Sequence, residues 1–262
     1  MTTKDDHPHR NPALVLAVAA GDGTGETPVS VDLAVELARR NHRTIVLDCA
    51  GSLAAPEPPA GTTPSSSMTD YLSGDAELKD LIEEGPAGVM FVTADDLAAD
   101  DSVDRRAPVR RYINDLKPLC DFVILNTGMG TSEAVANYVS TCDHTIAVTT
   151  TEFDSVANTY GVIKACAQAG HGESVHVMVN RAGSAREAGQ VLGKLKDCAK
   201  RFLGLDLNCL GWPPEHTDVE DAVEPRSTSR GAPQESAISR YLKAAVSSLE
   251  RLSSANSLSR PA

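Results

Sequence analysis

Apolar and polar positions along this chain alternate between two patterns. Ala13–Ala20 is a continuous apolar run, ALVLAVAA, as expected of a strand buried on both faces. Thr27–Asn41 then places Val31, Leu33, Ala34, Leu37 and Ala38 at helical spacing. Pro28 suits the first turn of that helix, where its missing N–H costs nothing. Thr44–Asp48 (TIVLD) predicts the next strand, and Val89–Thr93, Phe122–Asn126, His144–Thr149, Val175–Asn180 and Leu207–Trp212 predict the rest. Helical patterns occupy Asp75–Glu84, Val103–Leu119, Ser132–Thr141, Ser155–Ala169 and Ala185–Leu203. Ile238, Tyr241, Leu242, Ala245, Leu249 and Leu252 share one face of a last helix. The alternation predicts an α/β fold, with a single doubly wound, mostly parallel sheet and helices on both faces.

Composition marks the limits of that domain, expected over residues 13–252. Residues 1–12 are polar and read as a flexible tail. Residues 54–67 (AAPEPPAGTTPSSS) are rich in Pro and Ser and predict a disordered loop. Residues 253–262 are Ser-rich and predict a frayed C-terminal tail. The chain carries 24 Lys and Arg against 36 Asp and Glu, a net charge of -12, which argues against a nucleic-acid partner. No window approaches the roughly 18 unbroken apolar residues of a membrane span. The polar N-terminus lacks a secretory apolar region, so a cytoplasmic location is expected. The six cysteines form no CxxC pair and the histidines no ligand-spaced cluster, so reduced thiols and no zinc site are expected.

Candidate chemistry lies between the first strand and the first helix. The turn reads Ala20-Gly21-Asp22-Gly23-Thr24-Gly25-Glu26-Thr27. A strand, a glycine-rich turn and a helix form the context in which backbone N–H groups cradle a phosphate. The spacing fits that purpose. The charge does not, because the turn has no lysine and carries Asp22 and Glu26.

The chain resembles the MinD/ParA family of P-loop ATPases. Their turn is similar to GKGGVGKT, and TPVSVDLAVELAR (Thr27–Arg39) matches the helix that follows it. Ile45–Ala54 matches the next strand of the family. Residues 69–92 and 121–170, FLGLDLNCLGW (Phe202–Trp212) and Asp218–Val223 look most like the FlhG branch, whose members control flagellar number and placement. The shared order of these segments carries the assignment.

The resemblance also assigns roles, residue by residue. The family's signature lysine falls at Gly21 and its P-loop lysine at Glu26. Two loop glycines fall at Ala20 and Asp22. A strand-two aspartate that positions the attacking water falls at Ala50, and the Walker-B aspartate at Asn126. Gly23, Gly25, Thr27, Asp48 and Asn180 match. Thr27 corresponds to the magnesium-coordinating hydroxyl and Asp48 to the first strand-two carboxylate, a vestigial metal pair. Gly23, Gly25, Thr27 and Asn180, the last at an adenine-contacting position, make up a vestigial nucleotide site.

Magnitudes turn these departures into an expectation. At about 4 Å and an effective dielectric near 20, a unit-charge interaction is of order 4 kcal/mol, so Glu26 and Asp22 oppose phosphate binding. The expected protein is a regulator or scaffold with a degenerate ATPase site and no catalytic residue. No cofactor is expected, with ATP and Mg2+ the family's ligands if binding survives. Expected partners are proteins, such as a flagellar GTPase or a switch or basal-body component, and a homodimer is a further option. Two rivals remain: an active ATPase with a divergent loop, and a localisation factor for pilus or secretion assembly. Membrane contact by the last helix, placing the protein at the pole or membrane, ranks behind its packing against the sheet. The N-terminal tail lacks the glutamine-containing helix with which FlhG proteins stimulate a GTPase.

Overall fold

The computed structural model describes residues 13–20, 24–49, 66–94, 106–129, 138–212 and 237–259. Their strands are β1 (Leu14–Ala20), β2 (Thr44–Asp48), β3 (Glu83–Glu84), β4 (Met90–Thr93), β5 (Phe122–Met129), β6 (His144–Thr149), β7 (Val175–Val179) and β8 (Asn208–Gly211). Their helices are α1 (Glu26–Arg39), α2 (Met68–Ser73), α3 (Arg106–Leu116), α4 (Phe153–Gln168), α5 (Ala185–Leu203) and α6 (Ala237–Ser259). The strands form one sheet in the order β3-β4-β2-β5-β1-β6-β7-β8. All pairs are parallel except β3 with β4.

Alternate residues of β1 feed two cores, which is why its sequence is apolar throughout. Val15, Ala17 and Ala19 join one core with Tyr112 and Leu116 of α3, Ile163 of α4 and Leu195 of α5. Leu14, Leu16 and Val18 join the other with Leu33 and Leu37 of α1 and Val246 and Leu249 of α6. The doubly wound sheet with helices on both faces is as expected.

Three expectations change. Asp75–Glu84 is not a helix. Its residues form a 3-10 turn (Leu78–Leu81) and then β3, which pairs back onto β4 through Glu83 with Phe91 and Glu84 with Met90. The tight connection at Gly85–Gly88 drives the reversal, with Gly85 N–H donating to the Val89 carbonyl at 2.8 Å. Residues 54–65 of the expected disordered loop lie outside the described residues, and its last residue is ordered: Ser67 caps α2, its hydroxyl accepting from Asp70 N–H while the Asp70 carboxylate accepts from Ser67 N–H. The expected C-terminal tail begins inside α6, which runs on to Ser259. Serine hydroxyls along that helix bond back to carbonyls one turn earlier, Ser248 to Ala244 and Ser254 to Glu250, so the serine-rich composition does not end it.

α6 packs against α1 rather than standing free. Ala245, Val246 and Leu249 are fully buried. Arg40 donates to Ser247 Oγ at 2.9 Å, Glu250 Oε2 at 3.0 Å and the Lys243 carbonyl at 2.8 Å, and His42 Nε2 lies 2.9 Å from Glu250 Oε1. Trp212, which follows β8, packs against Tyr241 with ring centroids 4.2 Å apart and the rings tilted by 47°.

Candidate functional site

The chain leaves β1 toward β2 on one side and later crosses to β6 on the other. The carboxyl end of β1 is therefore a topological switch point, where open α/β sheets hold ligands. Thr24, Gly25, Glu26, Thr27, Asp48, Asn126 and Asn180 gather there from α1 and its approach, β2, β5 and the end of β7. Gly21, Asp22, Gly23, Ala50, Pro213–Glu215, Asp218–Val223 and most of Ser132–Thr141 lie outside the described residues.

Gly25 is fixed by backbone and by space. Its φ of 83° is left-handed. A Cβ there would come within 2.6 Å of Asn180 Nδ2. Asn180 in turn donates to the Thr24 carbonyl at 2.8 Å, while its own Oδ1 accepts from Arg181 N–H at 3.0 Å. Asn180 is buried, and the described geometry makes it a brace for the loop.

Glu26 opens α1 and is 8% exposed. Its Oε2 accepts a hydrogen bond from the buried Thr24 hydroxyl at 3.2 Å. The positive end of the helix dipole favours a carboxylate in this first turn. One negative group of the protein itself thus occupies the end of the helix that would favour a bound anion.

Thr27, Asp48 and Asn126 meet on the neighbouring strands. Asp48 and Asn126 are register partners of β2 and β5, and both are buried. Asn126 Nδ2 donates to Asp48 Oδ1 at 3.0 Å and to Thr27 Oγ1 at 3.2 Å. A hydroxyl and a carboxylate are oxygen ligands that suit Mg2+. The group between them is an N–H donor, which cannot ligate a cation, so the donor set does not fit a metal at that point. Cys49, beside this group, is a buried thiol whose pKa is pushed well up by desolvation first and by the Asp48 and Cys142 charges next. It is neutral at physiological pH and no nucleophile. Among the described residues, no group of three or more His, Cys, Asp or Glu is placed to hold a metal.

Arg181 is the residue that pattern reading missed. Its Nη2 lies 3.4 Å from where a Gly25 side chain would begin, which sets a guanidinium beside the loop. It too has a left-handed backbone, φ 53°. Sequence could have flagged it only as a cation next to Asn180, since nothing local shows that β7 ends against α1. Glu152 and Asp154 are exposed at the start of α4, where Ser155 Oγ accepts from Thr150 N–H at 2.7 Å.

The chain is 30% identical to the antiactivator FleN of Pseudomonas aeruginosa over 221 residues, 82% of this chain and 78% of that protein. It is 21% identical to the flagellum site-determining protein YlxH of Helicobacter pylori over 75% of this chain and 68% of that one. Its fold matches the septum site-determining protein MinD of Pyrococcus horikoshii, solved with Mg-ADP, with a TM-score of 0.64 at 18% identity. That match covers 93% of this chain and 98% of MinD. No protein-family model matches.

Proposed function

The chain belongs to the MinD/ParA family of P-loop ATPases, among its FleN- and FlhG-like members, and on that premise we propose that it regulates the placement or number of flagella through protein contacts, without ATP turnover. One observation carries the reading: the residue at the P-loop lysine position is a buried glutamate, bonded to Thr24 at the mouth of α1. Phosphoryl transfer depends on positioning and on neutralising the phosphate charge. Glu26 adds charge of the wrong sign where the family places its lysine.

The absence of a fitting metal pair supports the same reading. Thr27 and Asp48 keep the family's residue types, but Asn126 stands between them. Without cation and lysine, Glu26 would face a bound β- or γ-phosphate with like charge. The family's ligands, ATP and Mg2+, are therefore not part of this protein's working state. FleN is named an antiactivator, and this chain would act likewise by occupying a partner protein.

Arg181 favours a second reading. Its guanidinium beside Gly25 supplies a cation from the β7–α5 connection, which a divergent but working nucleotide site could use. Isothermal titration with Mg-ATP separates the two. Heat too weak to fit a micromolar Kd supports the regulator. A micromolar Kd with phosphate release supports the divergent ATPase. Deleting the gene tests the biological half: altered flagellar number or position is expected, and intact flagella with lost pili would point to the other assembly.

In the regulator reading the protein stays in the cytoplasm and docks at the pole through its partners. No helix among the described residues is long and apolar enough to cross a membrane. The apolar face of α6 is spent on the domain, since Ala245, Val246 and Leu249 are buried against α1 and the sheet.

A further inference from the structure

One nitrogen atom touches two oxygens whose residues are far apart in the chain. Asn126 Nδ2 donates to Thr27 Oγ1 at 3.2 Å and to Asp48 Oδ1 at 3.0 Å. The amide NH2 is the group turned toward Asp48, whose carboxylate oxygen accepts. The strand register holds this arrangement, because Asp48 and Asn126 are paired residues of β2 and β5. Both are buried, so water does not compete freely for these contacts.

The two oxygens are of the kind that hold Mg2+, and the point they share is filled by an N–H donor. A cation and an amide NH2 both offer positive potential to oxygen lone pairs. They differ in that the cation carries net charge, exchanges with solvent and demands oxygen ligands at about 2.0–2.1 Å. The amide is neutral, permanently attached and content at hydrogen-bond distance. The geometry points to Asn126 as a built-in replacement for a divalent cation: it satisfies Thr27 and Asp48 from within the chain and keeps this part of the site in shape without metal. The inference rests on the reading above that the nucleotide cycle has been abandoned, and it adds why the fold survives the loss.

The consequence is a site whose stability does not respond to divalent metal, and a single reversal that restores the response. Asn126→Asp would set a second carboxylate against Asp48, a like-charge pair that a metal ion relieves. The test is thermal melting of the full chain in EDTA and in Mn2+, with Mn2+ binding followed by electron paramagnetic resonance. Wild type should melt at the same temperature in both. Asn126→Asp should melt several degrees lower in EDTA, recover in Mn2+, and bind Mn2+ at least tenfold more tightly than wild type.

The double variant Asp48→Asn with Asn126→Asp exchanges donor and acceptor across the same pair. It should regain the wild-type melting temperature in EDTA and lose the response to Mn2+, and it remains informative if Asn126→Asp alone does not fold. Wild type stabilised by Mn2+ would overturn the inference. So would an Asn126→Asp chain indifferent to both EDTA and Mn2+, or a double variant no more stable than Asn126→Asp. Failure of the functional reading would appear instead as tight Mg-ATP binding or unchanged flagella, which these measurements do not report.

Discussion

Asn180 donates its side-chain amide to the carbonyl of Thr24, 2.8 Å away and 156 residues earlier in the chain. The same nitrogen would lie 2.6 Å from a side chain added to Gly25. A position that family resemblance links to a base is thus engaged in holding the turn ahead of α1. Gly25→Ala should therefore destabilise the protein twice over, through its left-handed φ and through the clash. A loss of about 2 kcal/mol or more is expected from urea melts. A loss below about 0.5 kcal/mol would mean that Asn180 moves aside at little cost, and the brace would be withdrawn.

Exchanging the charge at the mouth of α1 should change affinity without restoring chemistry. Glu26→Lys removes a repulsion and adds an attraction of a few kcal/mol each at phosphate distance. Calorimetry should show tighter Mg-ATP binding in the variant than in wild type. Phosphate release should stay at background, because Asn126 and Ala50 stand where the family has acidic residues. Adding Arg181→Ala to Glu26→Lys should lower the gained affinity if the guanidinium beside Gly25 reaches the phosphates. Tighter binding by wild type than by Glu26→Lys would reverse the charge argument.

The pair of histidines at the other end of β6 and β7 predicts the acid limb of stability. His176 is 5% exposed and its Nε2 lies 3.2 Å from His144 Nδ1. Burial first and the His144 charge second push the His176 imidazole down to about 4, and burial also lowers His144. An unfolded histidine titrates near 6.5. The folded chain thus keeps His176 neutral where the unfolded chain binds a proton. Its contribution is intact above about pH 6.5 and is lost as the pH falls toward 4. The loss should reach roughly 3 kcal/mol. Urea melts between pH 7 and 4 should show it, and His176→Gln should flatten that slope. An unchanged slope in the variant would assign the acid sensitivity elsewhere.

The docking of α6 gives a last expectation. Arg40→Ala removes three contacts to α6 and should cost about 1–2 kcal/mol. Leu249→Ala opens a cavity between α6 and the sheet and should cost about 2–5 kcal/mol. With its apolar face so used, wild type should stay in the supernatant when spun with anionic lipid vesicles. Quantitative pelleting with the vesicles would show that α6 leaves the domain, and Arg40→Ala should then pellet more readily.

Much of the fold was legible because its signals are local. A strand buried on both faces must be apolar throughout, and Ala13–Ala20 is. A long amphipathic helix with a serine cap and a C-terminal glycine announces itself, and Ala185–Leu203 lies between Ser184 and Gly204. Short elements carry no such redundancy. The two residues of β3 become a strand only because Gly85–Gly88 returns the chain onto Phe91, and no periodicity in Asp75–Glu84 encodes that pairing.

The sequence by itself determined the fold class, the family and the charge of the critical turn, since residue types and their order settle those without coordinates. Glu26 at the lysine position and Asn126 at the aspartate position are facts of the chain. Only the tertiary structure decided what those residues do. It set Asn126 between Thr27 and Asp48, turned Asn180 onto Thr24, brought Arg181 beside Gly25 and laid α6 on Arg40. Each of these contacts joins residues distant in sequence. Strand order and register choose such partners, and a hydrogen bond exists only where that choice brings donor and acceptor within about 3 Å.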